Sequence, residues 1–444
     1  MASVRTDESL PPHLPAWTVE LNNADDPVDE ARENPLPFQP LIVCLRFLGV
    51  ELDPAILKKS SRCYRYLSLL LGIFLLLLNG LCNIYILILN QHQMAGNQNE
   101  SDESEVLSVI LSSANDNYQP ITESSTMSWN FIMDYVNYIS LAIGVHACLF
   151  ILSRQPKWEF LWDNVQQILQ QFNDWKKTIR RVTIAGLFII SSEISIYVGL
   201  SFGFVELTND KQLFRDLFIC CFVNLFLFYA LSGLLLFTLI GWTVAMGFRS
   251  FGQELISKSL LTNTRSNDDA SLDGFRLMII KWKKLHILLI DTVDGINDCF
   301  GPVLLIWVSY IFVGFIASLF YIADEVYFNS TLSYSSWVML IMSSVQVAQH
   351  ILHFLIITGV PNYIRREAIN LGKLLKQVNL CDSHLQEQVR HNKVNVLTTE
   401  VSLSLPRITV MEFGDLNLSL IPKLIGTSLT YLIILCQFRS LEKI

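Results

Sequence analysis

Seven long apolar runs constrain what this chain can fold into more than any other feature of its sequence. A helix rises about 1.5 Å per residue, so crossing a hydrocarbon core about 30 Å thick takes roughly 20 mostly apolar residues. The runs cover residues 66–89, 129–153, 179–204, 216–248, 299–323, 337–360 and 418–438. Because 51% of the residues are hydrophobic and only 16% are charged, a soluble domain is excluded. The sequence predicts an all-α, polytopic membrane protein with seven transmembrane helices.

The placement of lysine and arginine predicts the orientation, because short loops that carry them stay on the cytosolic side. Seven precede the first run, and six, seven and seven lie within residues 154–181, 249–284 and 365–407. Residues 90–128 carry none against six acidic residues, and residues 321–336 also carry none. We therefore expect a cytosolic N-terminus and an extracellular C-terminus.

The runs divide the chain into five predicted regions. Residues 1–64, which hold eight of the 14 prolines, form a mostly disordered cytosolic tail. Within this tail, residues 41–50 are apolar but too short to span, so they predict an interfacial or protein-docked helix. No signal-peptide pattern precedes the first run, so we expect no cleaved leader. The other regions are a six-helix membrane part, a cytosolic helical segment, the seventh helix and an extracellular tail, at residues 65–360, 361–415, 416–438 and 439–444.

Two cytosolic stretches have the apolar spacing of amphipathic helices. Residues 273–298 run without a clear break into the fifth membrane run and form a predicted stalk. Residues 367–405 repeat the pattern after the sixth run.

The last run has two unlike faces on the 3.6-residue period of a helix. One face carries a mostly polar row and the other carries an apolar flank. The row is Lys423, Thr427, Thr430, Ile434 and Gln437, and the flank is Leu424, Tyr431, Leu435 and Phe438. Lipid contact does not explain the row, because polar groups in hydrocarbon need water or protein partners. We interpret it as the lining of a pore.

The end of this run also resembles a family signature. Thr430 and Tyr431, five further residues, and then Gln437 and Phe438 match the C-terminal motif of the insect gustatory receptors, seven-helix proteins related to the insect odorant receptors. Near the front, a second segment resembles the pre-membrane segment of the same family. It consists of Pro40-Leu41, Arg46-Phe47-Leu48-Gly49-Val50 and Pro54.

This resemblance implies a ligand-gated, non-selective cation channel in the plasma membrane of chemosensory neurons. It implies a homo- or hetero-tetramer with the last helix of each subunit around one pore, and a small tastant that enters among the outer halves of the second to sixth helices. In the family, cytosolic helices hold the four subunits together; packing only within one subunit is the alternative. No cofactor is implied. Sugar-receptor relatives commonly have Glu where this chain has Leu432, which favours a bitter or other plant-derived compound over a sugar such as fructose.

Polar side chains inside the predicted membrane helices are candidate ligand-binding residues, because each must face a partner or water. The candidates are Asp134, Asn137, Tyr138, Glu193, Gln346 and, on weaker grounds, the aromatic residues Tyr310 and Trp337. Gln346 also begins a polar row with Gln349, His350 and His353. Hydrogen bonds between helices are the competing interpretation, above all for Glu193, Gln349 and His353.

We place the gate near the outer end of the last helix, where Gln437 and Phe438 would form the narrowest ring. Amides can hydrogen-bond across the axis, and phenyl rings can exclude water from a closed constriction. Thr430 lies on the polar row, whereas Tyr431 is predicted to pack against neighbouring helices as a pivot. A motif that serves only helix packing is the alternative.

Other function classes find little support. The sequence has no glycine-rich phosphate loop, nucleophile elbow or histidine box for an enzyme, no metal-ligand spacing among its nine cysteines, and no basic patch with interleaved aromatics for nucleic acid. The predicted orientation is opposite to that of G-protein-coupled receptors. A seven-helix receptor that signals through a cytosolic partner is the alternative function.

Two N-glycosylation signals lie in predicted outer segments, at Asn99 and Asn329, and a third lies on the predicted cytosolic side at Asn417. We expect glycans on Asn99 and Asn329 and none on Asn417. Glycosidase treatment of the expressed protein should lower its apparent mass, and the double variant Asn99→Gln/Asn329→Gln should abolish this shift. A shift that persists in the double variant and disappears with Asn417→Gln would reverse the orientation.

Overall fold

The described part of the chain is built almost entirely of helices. The computed structural model describes residues 37–47, 50–54, 56, 66, 69–75, 77–78, 126–172, 175–205, 213–262, 270–327, 334–381, 388–411 and 414–442. The helices with defined bounds are α1 (Gln39–Phe47), α2 (Thr126–Leu152), α3 (Pro156–Gln171), α4 (Trp175–Val205), α5 (Leu213–Thr262), α6 (Ala270–Tyr327), α7 (Tyr334–Cys381), α8 (Gln388–Leu403) and α9 (Leu420–Glu442). Within these residues, β-type pairing is limited to a bridge between Thr409 and Asp415. The predicted all-α fold is confirmed.

Six of the seven predicted membrane runs lie within helices of the structure, apart from one or two residues at an end, in α2, α4, α5, α6, α7 and α9. The first run lies mostly outside the described residues, of which 69–75 and 77–78 are helical. Four helices in the described part of the chain are long and apolar enough to cross a membrane. They cover Leu227–Ser257, Leu277–Tyr327, Leu340–Gln377 and Leu420–Leu441, and a shorter apolar helix covers Ser140–Leu152. The count of seven spans and the orientation stay predictions.

Helix α5 lies at the centre of the packing. In its apolar window 78% of the residues are buried, against 44% in α6 and 28% in α7. Glycines of α5 allow neighbouring helices to approach closely, as small residues commonly do between membrane helices. A Cβ on Gly233 would lie 3.1 Å from Cγ1 of Val145 in α2, and a Cβ on Gly241 would overlap Cγ1 of Val360 in α7.

Helix α6 continues from the predicted stalk into the membrane run as one helix of 58 residues. The stalk packs on α5 through Trp282, whose ring centroid lies 6.3 Å from that of Phe251. On the opposite side of the stalk, three large apolar side chains are exposed. They are Leu277, Ile280 and Ile287. The stalk therefore packs within its own subunit on one face and leaves another apolar face available for a further contact.

The pre-membrane segment docks onto α3. Trp158 Nε1 donates a hydrogen bond to the carbonyl oxygen of Leu52 (2.8 Å). Glu51 is buried, and its Oε2 lies 2.6 Å from Nε of Arg46. A buried carboxylate needs such a partner, because leaving the charge uncompensated is strongly destabilising. Helix α1, which covers the described part of the apolar stretch up to Phe47, is thus docked on the protein rather than free at the interface.

An irregular connection, residues 404–411 and 414–419, leads from α8 to α9. Asn297 of α6 holds it with both ends of its amide. Its Nδ2 donates to the carbonyl oxygen of Arg407 (2.8 Å), and its Oδ1 accepts from the N–H of Thr409 (3.0 Å). Helix α6 therefore fixes the point from which α9 starts.

Gly241→Ala should weaken the packing of α5 on α7. The added methyl group would overlap Val360, whose β-branched side chain is restricted in a helix, and such overpacking costs about 1–3 kcal/mol. Gly359→Ala is the matched control, because a Cβ there meets nothing within 4 Å. Thermal unfolding of the purified protein should shift to lower temperature for Gly241→Ala alone. Equal unfolding temperatures for the two variants would contradict this packing.

Candidate ligand site and pore helix

Helix α9 is attached to the rest of its chain by one narrow face. Ser428 on this face is buried, and only 6% of the helix's apolar window is buried in all. The half-buried side chains of α9 lie on the same side as Ser428. They are Leu420, Ile421, Leu424, Leu432, Cys436 and Arg439. The remaining surface of α9 contacts no other described part of the chain closely enough to be covered.

The polar row predicted from the sequence lies on the side of α9 away from Ser428. Its five members are all exposed: Lys423, Thr427, Thr430, Ile434 and Gln437. The hydroxyl groups of Thr427 and Thr430 donate to backbone carbonyl oxygens of their own helix, at 2.9 and 3.0 Å. Phe438, at the proposed gate, is 63% exposed. The ammonium of Lys423, the amide of Gln437 and the two hydrogen-bonded hydroxyl groups therefore lie on the side of α9 that faces away from the other described helices.

Helix α6 contacts α9 at the middle and at the C-terminal end. The Tyr431 ring lies edge-on to that of Phe312, with centroids 6.1 Å apart. Directly after the Gln437-Phe438 pair, Arg439 Nε lies 3.1 Å from Oδ1 of Asp324, and both side chains are 17% exposed. Together with the hydrogen bonds of Asn297 to the connection before α9, these contacts place α9 along α6.

A polar cluster joins α2, α6 and α7. Asn137 Nδ2 donates to the carbonyl oxygen of Tyr310 (3.1 Å), and Ser318 Oγ donates to Oε1 of Gln346 (3.3 Å). The buried ring of His350 packs edge-on against that of Tyr310, at 5.1 Å between centroids. Three predicted ligand residues, Asn137, Tyr310 and Gln346, are therefore brought to the same part of the bundle.

Further contacts extend the cluster to α4. Glu193 accepts a hydrogen bond from Nε2 of Gln349, and its Oε1 lies 3.4 Å from Nε2 of His353. The His353 ring lies edge-on to Trp307 at 5.0 Å, and Trp307 lies edge-on to Tyr310 at 5.8 Å. Glu193 thus links α4 to α7 through its side chain, which agrees with the interpretation that it serves helix packing.

Four buried polar atoms of the cluster have no hydrogen-bond partner among the described residues. They are Trp307 Nε1, His350 Nδ1, His353 Nδ1 and Gln349 Oε1. Buried polar groups in folded proteins are normally hydrogen-bonded, to protein or to water. Unsatisfied atoms in one cluster therefore mark a place where a polar ligand group or water would be stabilised.

The other predicted site residues are placed less closely. Asp134 and Tyr138 belong to α2 together with Asn137, but their side chains lie outside the described part of the structure. Trp337 lies in the first turn of α7 and is 55% exposed. The glycosylation sites Asn99 and Asn329 also lie outside the described residues.

The sequence analysis missed three residues of α6 that build this site. They lie on one helical face together with Tyr310. In chain order the face is Trp307, Tyr310, Gly314 and Ser318, at i, i+3, i+7 and i+11. A Cβ on Gly314 would lie 2.5 Å from Nε2 of His350, so glycine is what lets that ring approach α6. This spacing of aromatic and small residues is the signal that could have found them.

Two shallow depressions lie away from the cluster. One lies among α3, α4 and α5, beside Ile168 and Met246. The other lies at the inner end of α9, beside Arg365 and Arg407. Neither depression coincides with the polar cluster. A ligand that binds in the cluster would therefore have to displace water or move side chains.

Comparisons with known proteins agree with this architecture. A family model described as 7tm Chemosensory receptor matches residues 106–442. The structure of the insect olfactory receptor OR5 from Machilis hrabei in complex with eugenol is similar at a TM-score of 0.59 and 11% identity, over 90% of this chain and 97% of that chain. A second structure of that receptor gives a TM-score of 0.57 and 13% identity over the same shares. No curated protein matches the chain.

The likeness to the olfactory receptor, at this identity, shows the fold, and the family model covers well over half of the sequence. The chain therefore belongs to the 7tm chemosensory receptor family.

Proposed function

We propose that this chain is a gustatory receptor that acts as a ligand-gated, non-selective cation channel. The observation that carries the proposal is the geometry of α9, whose polar row is exposed on the side away from its packed face. Four such helices around an axis would place these rows against a water-filled pore, which supplies the partners that lipid lacks. Membership of a chemosensory receptor family and the receptor-like fold support the proposal.

The polar cluster of α2, α4, α6 and α7 is the proposed ligand site. A hydroxyl or amine group of a tastant would satisfy His350 Nδ1 or Gln349 Oε1, and the rings of Trp307 and Tyr310 offer aromatic surface. The similar receptor OR5 is described in complex with eugenol, which supports a small-molecule ligand. We favour a bitter or other plant-derived compound from outside the cell, with a sugar such as fructose as the alternative.

Helix α6 is the proposed connection between the ligand site and the pore. Tyr310 belongs to the site, and Phe312, two residues further along α6, contacts Tyr431 of α9. A ligand that binds one arrangement of α6 more tightly than another shifts the equilibrium between closed and open channel by that difference in affinity. Gln437 and Phe438, beyond this contact, would form the gate.

The proposed assembly is a homo- or hetero-tetramer in the plasma membrane of chemosensory neurons, with a cytosolic N-terminus. The exposed apolar face of the stalk, with Leu277, Ile280 and Ile287, supports a contact between subunits. The same face would suit the alternative, a receptor that signals through a cytosolic partner.

Electrical recording separates the two functions. A tastant applied to cells that express the receptor should evoke current within milliseconds, and the current should persist in outside-out patches without nucleotides. A response that is lost in excised patches and returns with cytosolic components would support the signalling alternative.

Cysteines introduced along α9 should reveal which side faces water. The variants Thr427→Cys, Thr430→Cys, Ile434→Cys and Gln437→Cys should react with permeant thiol reagents faster than Leu424→Cys, Tyr431→Cys and Leu435→Cys. The half-buried native Cys436 is first replaced by alanine, and Ser428→Cys is the buried control. Modification rates are read from the change in current, and rates without a helical period would remove α9 from the pore.

Substitutions in the polar cluster should change the response to agonist without changing surface expression. Asn137→Ala and Gln346→Ala each remove a hydrogen-bonding group, and loss of one bond to a buried ligand costs about 1–3 kcal/mol, on the order of tenfold in affinity. The agonist concentration that gives half of the maximal current should rise accordingly. Gln170→Ala, an exposed residue of α3, is the control. Unchanged dose-response curves for both cluster variants would place the ligand elsewhere.

A further inference from the structure

A depression at the inner end of α9 is not used by the proposed ligand site or pore. The depression is shallow, and it opens between α7 and the connection that precedes α9. Its walls include four buried side chains: Pro361, Pro406, Ile408 and Leu416. Its polar residues are Asn362, Arg365, Arg407, Asp415 and Asn417. The depression therefore has apolar walls and a rim rich in hydrogen-bond donors.

The charge of this rim suits a phosphate group. The residues that line it include two cationic ones, Arg365 and Arg407, and one acidic one, Asp415. None of these three side chains forms an ion pair with another described residue. Guanidinium groups bind phosphate through paired, charge-assisted hydrogen bonds. Helix α9 begins three residues after Asn417, and the partial positive charge at its N-terminus adds to the attraction for an anion.

A second observation indicates that this phosphate belongs to a lipid. An exposed apolar stripe leads along α9 away from the depression, and it is separate from the polar row of the proposed pore. The stripe is Leu418, Ile425, Leu429 and Ile433, exposed by 43%, 39%, 46% and 59%. From first to last these residues rise by about 22 Å along a helix at about 1.5 Å per residue, which suits an acyl chain.

We propose that the depression binds the phosphate-bearing headgroup of an anionic phospholipid, with an acyl chain along the apolar stripe of α9. The depression lies where the sixth membrane run ends, at residue 360, and the seventh begins, at residue 418, which is the depth of lipid headgroups. In the proposed orientation this is the cytosolic leaflet, and in that respect the inference depends on the proposed function. A bound lipid links Arg365 of α7 to the start of the pore helix.

Direct binding to the purified full-length protein tests this proposal, independently of any current. Native mass spectrometry would measure the dissociation constant of dioctanoyl phosphatidic acid, with dioctanoyl phosphatidylcholine and inorganic phosphate as comparison probes. We expect phosphatidic acid to bind more tightly than both. The variant Arg365→Gln/Arg407→Gln should raise its dissociation constant about tenfold or more, because it removes charge-assisted hydrogen bonds.

Matched variants separate a specific site from general attraction of acidic lipid. Arg366→Gln removes one positive charge beside Arg365, against two in the 365/407 variant, and this exposed residue does not line the depression. The affinity of this variant for phosphatidic acid should therefore match that of the unmodified protein. Leu418→Ser/Leu429→Ser should weaken the binding of phosphatidic acid alone. Equal losses in the 365/407 and 366 variants would overturn the site, and phosphate binding as tightly as phosphatidic acid would overturn the lipid assignment. Unfolding temperatures close to that of the unmodified protein would confirm that the variants are folded.

Discussion

Because a bilayer contains no water, the polar row of α9 needs partners that lipid cannot supply, and the function of this protein depends on what supplies them. A spanning helix with a polar row on an open side is not satisfied by lipid. Only 6% of the apolar window of α9 is buried by its own chain, and the polar row lies away from the narrow face around Ser428. Apart from the backbone of α9 itself, the described part of a single subunit thus supplies no partners for the polar row of α9. The proposed tetramer supplies water for the polar side of α9.

Three contacts among the described residues hold α9, or the connection before it, on α6, and their chemistry bears on how α9 could move. Before α9 begins, Asn297 holds the backbone of the connection with two hydrogen bonds of defined geometry. In the middle, Phe312 meets Tyr431 edge-on, a contact that depends on ring packing and tolerates rotation more readily than a hydrogen bond does. At the C-terminal end, Arg439 pairs with Asp324, and both side chains are only 17% exposed, so separating them would leave two largely buried charges without each other.

Motion of the C-terminal part of α9 would keep the hydrogen bonds of Asn297 but would have to break the Asp324–Arg439 pair. The outer end is where Gln437 and Phe438 would form the proposed gate, and Tyr431 lies between the two ends as the proposed pivot. Elements that move in function have few buried contacts, and α9 has far fewer than α5. A lipid bound beside Arg365 and Arg407 would further hold the inner end in place.

The helices could be predicted from the sequence because their length and faces depend on local periodicity. The same local signal identified the two faces of α9 and the polar residues of α7. The contacts that build the site could not be predicted. Asn137 and Tyr310 are separated by 173 residues and Asp324 and Arg439 by 115, so their contacts depend on which helices are neighbours, and hydropathy does not encode this.

Glu193 illustrates the same limit at a single residue. Its position inside an apolar run marks it as a candidate for function, and the sequence offers binding and packing as equal alternatives. The neighbours of Glu193 distinguish binding from packing, because Gln349 and His353 of α7 both contact its carboxylate. The unsatisfied atoms then lie on those partners rather than on Glu193 itself. The hydrogen-bonding atoms available to a ligand are therefore those of Gln349 and His353 in α7, and not the carboxylate of Glu193 in α4.

A tetramer also decides how much binding energy each site must supply. Moving a two-state equilibrium from 1:99 to 99:1 takes about 10⁴-fold tighter binding to the favoured state, about 5.5 kcal/mol. Shared over the four sites of the proposed tetramer, this is about tenfold, or about 1.4 kcal/mol, for each subunit. One hydrogen bond gained by a buried, unsatisfied atom such as His350 Nδ1 is of this size. A small, closely packed polar cluster is therefore sufficient to open such a channel, provided that its ligand makes that bond in the open state alone.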